Sequence, residues 1–527
     1  MNKKLFILIL FLAFLLRFYK LGSVPFSLDW DEVSNGYNAY SILKTARDEY
    51  GKFLPLANRS FDDYKPPVYM YLNIPAIAIF GLNEFSVRLP SALFGFLTVP
   101  LIFLLANFLF HDDKNRNKIS LIAMFLFTIS PWHLQFSRVG FEANVGLFFT
   151  VLTITALLYG LKKHSFIILS AIASVLSLYS YHTQKIFIPL ILISIFFIYK
   201  KEILAIPKKI LISFICIIFI FTVPMLILLP KQALFSRLQS SSLSTRQKEI
   251  ENSAKYIKQD YEKNFKLGKY IHSSKVFFLL DTASNYLANY DLNFLFVSGD
   301  DNGRHHVENM GMFYLFQLPL FAVGVYLLLT NLNKSTKIIF SWLLIAPIAS
   351  SLATPSPHAI RSLPLLPVIE IICSTAAVNL FNIKNNKNKT ITFAFCAWII
   401  VSFLLYLHNY HVHYPVDKAD AWQYGFKEAV IESSKLKDSY DKIKINSSLE
   451  QAYIYWLFYT KYDPKLYQIS GSNQHFDKYY FNAEKPESNK DLFVSSMDTP
   501  TYPKDFIILK TIVPPNNKQA ISLSHHP

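Results

Sequence analysis

Three carboxylates lie within four positions of the stretch SLDWDEVSNGYNAYSI, which follows an apolar run near the start of the chain. They are Asp29, Asp31 and Glu32. Residues 33–43 have the spacing of a helix, so Asp31 and Glu32 are predicted at or just before a helix N-terminus. Two interpretations are open at this point. Helix starts favour acidic caps, and a positioned carboxylate can also accept a proton from a reacting hydroxyl.

A lysine in the same region has an unusually stiff context. In FDDYKPPVYMYL, Lys65 precedes Pro66 and Pro67, which suit the first turn of a short helix lying along the membrane interface. A cation fixed there can meet an anionic headgroup or a lipid phosphate. The alternative is an ordinary lysine that extends its charge from the membrane into water. Acids and a rigidly placed cation together indicate a site for a phosphorylated lipid.

The composition of the chain and its long apolar runs indicate that membrane-spanning helices position these residues. Of the 527 residues, 52% are hydrophobic and 17% are charged, whereas a soluble protein is nearer a quarter charged. The run Leu211–Pro230 has no charge and is about long enough to cross a bilayer as a helix. The cysteines fall inside such runs, and no signal-peptide cleavage site follows the first one. We predict about eleven spans: 5–21, 88–110, 119–134, 143–161, 164–180, 186–199, 209–230, 311–331, 338–353, 362–382 and 391–407.

The formal charge of +16 comes largely from lysines in the short polar breaks between apolar runs. Lysines there indicate the cytoplasmic side of the membrane rather than nucleic-acid binding. With the N-terminus inside, three hydrophilic regions lie outside: a first outer loop (22–87), a large outer loop (231–310) and a C-terminal region (408–527). We therefore predict a transmembrane catalytic domain over 1–407 and a small extracytoplasmic α/β domain over 408–527.

The ordered motifs of the first half resemble the bacterial protein O-mannosyltransferase-like enzymes of glycosyltransferase family 39, which include the lipid A aminoarabinose transferases. The Asp31-Glu32 pair is followed by Lys65–Tyr69, by Phe80-Gly81 with Arg88-Leu89-Pro90, and by SRVGFEAN (137–144). The resemblance covers roughly residues 5–230 and becomes weaker beyond them. One departure is Ser34, where the lipid A enzymes carry an arginine.

The resemblance implies an all-α, polytopic GT-C fold and an inverting glycosyltransferase of the plasma (inner) membrane, with its active site on the extracytoplasmic face. The donor would be a sugar on a polyprenyl phosphate, and the acceptor a hydroxyl of a protein, a lipid or a glycan. Asp31 would be the base and Glu32 its positioning neighbour. Lys65 would hold the donor phosphate, with Arg138 or an arginine of a later outer loop, such as Arg361.

Further candidates for substrate binding rest on position. Arg138 has Glu142 four residues on, either as a structural pair or as part of the site. His182 and Lys185 share one outer break, where a polar helix end is the alternative. Arg304 and His305, before the eighth span, would either close the donor cavity or anchor helices. The first outer loop adds Tyr37 and Tyr64.

No cofactor is predicted. His305-His306 does not indicate a metal site, because no acid or cysteine stands at ligand spacing, so a divalent metal is not indicated.

Two other functions stay open. An oligosaccharyltransferase-like enzyme shares the fold, but it would need a metal and a Trp-Trp-Asp motif, and the chain has no Trp-Trp. A transporter or flippase of lipid-linked sugars would need charges in the middles of spans, whereas here they concentrate in outer loops. The sequence does not identify the sugar or the acceptor.

Overall fold

The chain is mostly helical. A computed structural model describes residues 2–61, 63–228, 234–381, 386–498 and 505–526. The start of the large outer loop and part of the lysine-rich break at 383–390 lie outside these ranges. The helices are α1 (Lys3–Phe18), α2 (Trp30–Thr45), α3 (Val68–Phe80), α4 (Glu84–Leu109), α5 (Arg116–Ile129), α6 (Pro131–Ser137), α7 (Glu142–Gly160), α8 (Ser165–Leu178), α9 (Gln184–Ile198), α10 (Lys200–Leu204), α11 (Lys208–Leu228), α12 (Leu234–Glu262), α13 (Gly268–Ile271), α14 (Ser274–Ala288), α15 (Leu292–Phe296), α16 (Gln317–Leu329), α17 (Lys334–Ile345), α18 (Ile348–Ser351), α19 (Leu365–Phe381), α20 (Asn386–His408), α21 (Tyr414–Asp417), α22 (Phe426–Lys435), α23 (Ala452–Tyr459) and α24 (Pro464–Ser470).

Several helices are apolar enough to cross a membrane. In the described ranges, α4, α7, Lys208–Met225 of α11 and the continuous stretch Thr390–Asp417 are also long enough. A fifth span results if α5 and α6, bent by 58° at their junction, are counted as one. Helices α3, α8, α9, α16 and α19 are apolar but shorter. The chain is a multi-pass membrane protein, and the count of about eleven spans stays a prediction.

The strands of the described residues form two sheets. A hairpin in the first outer loop pairs β1 (Asn58–Ser60) with β2 (Asp63–Lys65) in antiparallel fashion. The C-terminal sheet has the order β4-β5-β3-β6-β8-β7 in the described residues, with β3 parallel to both β5 and β6. Its strands are β3 (Lys442–Asn446), β4 (His475–Phe476), β5 (Tyr479–Ala483), β6 (Asp491–Ser496), β7 (Ile507–Ile512) and β8 (Ile521–His525). The predicted helix and strands of this region are therefore present as α22, β3 and β7.

The chain divides into two compact units. The helical unit comprises Met1–Leu16, Phe94–Phe136 and Ala143–Phe403, and the α/β unit comprises Arg17–Leu93, Ser137–Glu142 and Leu404–Pro527. In the helical unit, α19 packs on α5 and α16. In the α/β unit, α2 packs on α3 and α23. The predicted catalytic loop and the C-terminal sheet therefore share one apolar core, in which Trp456 is completely buried.

Candidate active site

Helix α2 begins with a capping box. The side chain of Asp29 accepts a hydrogen bond from the backbone N–H of Glu32 (2.8 Å), and the carboxylate of Glu32 accepts one from the backbone N–H of Asp29 (3.1 Å). The cap is thus Asp29, and the helix starts at Trp30, so Asp31 and Glu32 lie in its first turn and not before it. Asp31 is left in the first turn with its side chain about a third exposed, at 32%.

Glu32 is completely buried and fully engaged by its neighbours. Arg88 of α4 donates from Nε to Oε1 (2.9 Å) and from Nη2 to Oε2 (3.1 Å). The backbone N–H of Gly140 adds a third bond to Oε1, at 2.7 Å. Together with the bond from the backbone of Asp29, four donors surround this carboxylate. Glu32 therefore joins three segments of the α/β unit and positions Asp31 beside it.

Arg88 orders the chain that enters α2. Its guanidinium donates to the backbone carbonyls of Leu21 (3.3 Å), Pro25 (2.8 Å) and Ser27 (2.5 Å). A buried arginine needs this degree of pairing, since an unpaired charge away from water is costly. The Glu32–Arg88 pair thus fixes the loop just before the acids.

Lys65 forms an ion pair with Asp31. The lysine ends strand β2, and its ammonium contacts Oδ1 of Asp31. Its side chain is only 5% exposed, which excludes the interpretation that it extends freely into water. Pro66 and Pro67 precede α3 as predicted, with Pro67 at the N-cap position. The base candidate and the phosphate-binding candidate are therefore in direct contact.

The buried polar side of α2 continues beyond Asp31. Asn35 donates to Oε1 of Glu142 at 3.2 Å, and Ser34 shares a hydrogen bond with Ser60 of the hairpin at 2.8 Å. One turn later, Asn38 donates to Oε1 of Glu49 at 3.1 Å. The buried face of the hairpin is thereby attached to the same side of α2 that carries Asp31.

Glu49 is a buried acid that the sequence did not single out. Burial raises its pKa from about 4.5 to about 8, partly offset by the hydrogen bond from Asn38, while the neighbouring Asp48 raises it further. Its carboxyl group is therefore mostly protonated at neutral pH.

Arg138 and Glu142 have different partners from those predicted. Arg138 is buried; its Nε donates to the hydroxyl of Tyr410 at 3.2 Å, and its guanidinium lies over that ring at 5.2 Å from the centroid. Glu142 begins α7 and bonds to Asn35. The contacts of this arginine thus lead to the C-terminal part of the α/β unit, and those of Glu142 lead to α2.

The two tyrosines of the first outer loop differ. Tyr37 is completely buried, packs near Tyr467 and donates to the carbonyl of Tyr462 at 3.1 Å. Its side chain therefore belongs to the core, and the contact of Tyr37 with substrate stays a prediction. Tyr64 lies in β2, paired with Arg59 and partly exposed, next to Lys65.

The remaining candidates belong to the helical unit. His182 and Lys185 contact each other, with Nδ1 and Nζ 3.4 Å apart, at the start of α9. The carbonyl of Arg304 accepts a hydrogen bond from Gln135 at 2.6 Å. Arg361 donates to the carbonyl of Pro355 at 3.2 Å. These contacts all lie within the helical unit.

His305 has an acidic partner, which corrects the reason given against a metal. Its Nδ1 lies 2.6 Å from Oδ2 of Asp300, five residues earlier, and His358 from a distant loop lies against it with ring centroids 4.9 Å apart. Burial lowers the pKa of His358 to about 3. Asp300, His305 and His358 each offer one ligand atom, all within 4.8 Å of one another.

Some contacts of the site could not be predicted from sequence patterns. Asp29 and Arg88 were visible as motif neighbours, but the pairing of Arg88 with Glu32 joins positions far apart in the chain. His358 likewise meets His305 only through folding. Gly140 lies in the motif SRVGFEAN. The structure shows why a glycine suits this position, because a Cβ there would lie 3.0 Å from Cγ of Glu32.

Comparisons with known proteins agree with the predicted resemblance and with the fold. Residues 64–227 match the model of the dolichyl-phosphate-mannose-protein mannosyltransferase family. The predicted resemblance is confirmed. The matched segment contains Lys65, Arg88, Arg138 and Glu142. A search of curated protein sequences finds no match.

Solved structures extend the likeness over the whole fold. The crystal structure of ArnT from Cupriavidus metallidurans bound to undecaprenyl phosphate aligns with 99% of this chain and 98% of its own, with a TM-score of 0.56 and 12% identity. The apo form gives the same coverage and identity with a TM-score of 0.55. At this identity the likeness shows the GT-C membrane-enzyme fold. An oligosaccharyltransferase from Archaeoglobus fulgidus, in complex with Zn and sulfate, is 13% identical over 86% of this chain and 61% of its own, with a TM-score of 0.49, too low to support an argument.

Proposed function

We propose that this protein is an inverting glycosyltransferase that moves a sugar from a polyprenyl-phosphate carrier to an acceptor hydroxyl on the outer face of the membrane. The observation that supports this most directly is the ion pair between Asp31, which is part-exposed, and Lys65, which is buried. The next residue, Glu32, is fully hydrogen-bonded and paired with Arg88. A base and a phosphate-binding cation in contact are what transfer from a phosphate leaving group requires.

The geometry gives each residue a role. Lys65 exchanges Asp31 for an oxygen of the donor phosphate, because both are anions and a charge-assisted bond to phosphate is of similar strength. The released Asp31 carboxylate then accepts the proton of the acceptor hydroxyl. Donor binding thereby prepares the base.

The reaction is a single displacement. The acceptor oxygen attacks the anomeric carbon as its proton passes to Asp31, and the bond between that carbon and the phosphate oxygen breaks. The lipid phosphate leaves with the electron pair, and its charge is held by Lys65 with Arg138 as a second cation. Attack opposite the leaving group inverts the anomeric centre. Glu32 takes no proton, since four donors already hold its carboxylate.

The support for the donor is independent of this geometry. The matched family is described by a dolichyl-phosphate-mannose donor, and the ArnT structure that shares the fold holds undecaprenyl phosphate. The outer-face location follows from the lysines of the cytoplasmic breaks, and the roughly eleven spans complete that topology. The acceptor class is a hydroxyl of a protein, a lipid or another envelope glycan.

The test is sugar transfer from a polyprenyl-phosphate donor by purified protein in detergent, at equal protein level. Asp31→Asn should keep the fold, because the amide is nearly isosteric, and should lower the rate about 10²–10⁴-fold by removing proton acceptance. Asp29→Asn is the matched control, since asparagine caps helices as well as aspartate does. A parental rate in Asp31→Asn would reject the catalytic assignment, while transport of the donor without transfer, measured with the same protein in sealed lipid vesicles, would favour the flippase.

A further inference from the structure

The helical unit brings together three side chains that the proposed reaction does not use. Asp300 and His305 lie in the loop after α15, and His358 lies in the loop before α19. One ligand atom of each lies within 4.8 Å of the others. Aspartate oxygen and two imidazole nitrogens form a donor set that binds Zn²⁺ and similar divalent ions.

Neighbouring groups hold Asp300 and His305 in place by hydrogen bonds and packing, as the residues around metal ligands commonly do. Oδ2 of Asp300 accepts the backbone N–H of Ala359 at 2.8 Å, and Oδ1 accepts that of Asn302 at 3.2 Å. The ring of His305 packs against Phe136 and is 1% exposed. Such outer contacts hold ligating side chains in one orientation.

His358 supplies a second, independent observation. Its Nδ1 is buried and has no hydrogen-bond partner among the residues that the structure describes. Buried polar nitrogens are nearly always paired, and one left unpaired is costly. An ion bound through Nδ1 would give this nitrogen a partner, which the hydrogen bond between Asp300 and His305 alone does not do.

We infer that Asp300, His305 and His358 form a binding site for a divalent metal ion, with Zn²⁺ as the best fit to the donors. Tetrahedral ligands about 2.1 Å from zinc lie roughly 3.4 Å from one another. The ligand atoms, which lie within 4.8 Å of one another, would adjust toward this spacing when the ion binds. The fourth position is left for water or an anionic group, as in other zinc sites with three protein ligands.

The site would connect two loops that are distant in sequence. One carries Arg304, next to His305, and the other carries Arg361, three residues after His358. A metal would fix these loops to each other within the helical unit. The inference does not depend on the proposed transfer reaction, because its test measures metal and stability rather than activity.

The experiment uses full-length protein carrying no histidine tag, stripped with chelator, incubated with Zn²⁺ and freed of excess metal by gel filtration. Bound zinc is measured by mass spectrometry. We expect about one zinc per chain in the parent and a loss of most of it in His358→Gln. His306→Gln is the matched control, since it removes a neighbouring histidine that contacts the backbone carbonyls of Asp300 and Val307 and none of the three ligand atoms, and it should keep the metal.

A second readout guards against variants that fail to fold. Zinc should raise the thermal unfolding midpoint of the parent and of His306→Gln, and should not raise that of Asp300→Asn. Unchanged zinc content and zinc-dependent stabilisation in both His358→Gln and Asp300→Asn would overturn the site. So would a parent that retains no zinc and gains no stability from it.

Discussion

The carboxylate of Glu32 is held by Arg88 and two backbone N–H groups and is completely buried, whereas Asp31 beside it is part-exposed and has Lys65 against Oδ1. Two adjacent acids therefore have different chemistry because of what surrounds them. Glu32, whose carboxylate already accepts four hydrogen bonds, has a structural role, whereas Asp31 can exchange Lys65 for another partner. This division explains why a reactive site would carry both.

Glu32→Gln tests the structural half of that division. Removing the charge leaves Arg88 buried without an anionic partner, which typically costs about 3–5 kcal/mol. We expect a lower unfolding midpoint and less folded protein in detergent, measured by thermal unfolding. Asp31→Asn should lower the midpoint less, because the Asp31 side of its ion pair with Lys65 is part-exposed to water, whereas Glu32 and Arg88 are completely buried. Equal stability of Glu32→Gln and the parent would show that the pair does not hold these segments together.

Glu49 predicts a pH dependence of stability. Its folded pKa, about 8, lies above its ordinary value of 4.5, so the folded state binds the proton more tightly. The stabilisation from the protonated form is complete below about pH 4.5 and is lost as the pH rises through 8, with a magnitude on the order of a few kcal/mol. Asp48, Arg59 and Lys65 are the charged neighbours that modulate it.

Glu49→Gln should therefore flatten the profile. The amide resembles the protonated acid, so the variant should match the parent near pH 5 and be more stable than it near pH 9. Thermal unfolding across this range measures the difference. Glu450→Gln, at an exposed glutamate of the same unit, is the control and should follow the parent. A Glu49→Gln profile parallel to the parent's would contradict the prediction.

At the level of elements, α2 is buried on nearly every side although it is rich in polar residues. Its polar face meets the hairpin and Glu49, and its apolar face meets the C-terminal core. Gly36 marks the closest approach, because a Cβ there would lie 2.7 Å from both Phe458 and Val87. The helix thus tolerates a glycine in its middle for the sake of packing.

Gly36→Ala should reveal this packing. Alanine favours the helix by about 1 kcal/mol, but forcing a methyl into a filled core costs about 1–3 kcal/mol. We expect net destabilisation of up to about 2 kcal/mol, read from denaturant unfolding. Combining it with Phe458→Leu should recover part of the loss in a double-mutant cycle. Stabilisation by Gly36→Ala alone would show that the contact is loose.

The sequence was informative about elements and weaker about their partners. The helix after Asp31, the proline-started α3 and the strands β3 and β7 followed from periodicity and turn chemistry. The hairpin of β1 and β2 was missed, because three-residue strands carry almost no alternation. The ion pair of Lys65 with Asp31 was missed with it, since only that hairpin delivers the lysine to α2.

At the scale of the whole molecule, the C-terminal region does not stand apart from the first outer loop. Tyr455 donates to the carbonyl of Leu28 at 3.1 Å, and Lys427 pairs with Glu84 at 2.6 Å. The predicted domain boundary at residue 407 was placed where the last membrane span ends. In the structure, residues 404–527 belong to the same compact unit as residues 17–93. Long-range packing of this kind leaves no local mark in a sequence. The C-terminal sheet lies in the same unit as the candidate base, so we propose that this sheet helps to hold the acceptor.

That role requires both regions to be outside the membrane, which labelling can decide. In a variant with Cys216, Cys373 and Cys396 replaced, single cysteines at Asn302 and Ser472 should react with an impermeant maleimide in intact cells. A cysteine at Lys208, at the start of α11, should react only after permeabilisation, because lysine-rich breaks remain on the cytoplasmic side. The charge asymmetry that fixes this orientation acts on short breaks next to spans, so the large outer regions follow their flanking helices. Labelling of position 472 only after permeabilisation would place the sheet inside and would remove Asp31, which shares its compact unit, from any extracytoplasmic acceptor.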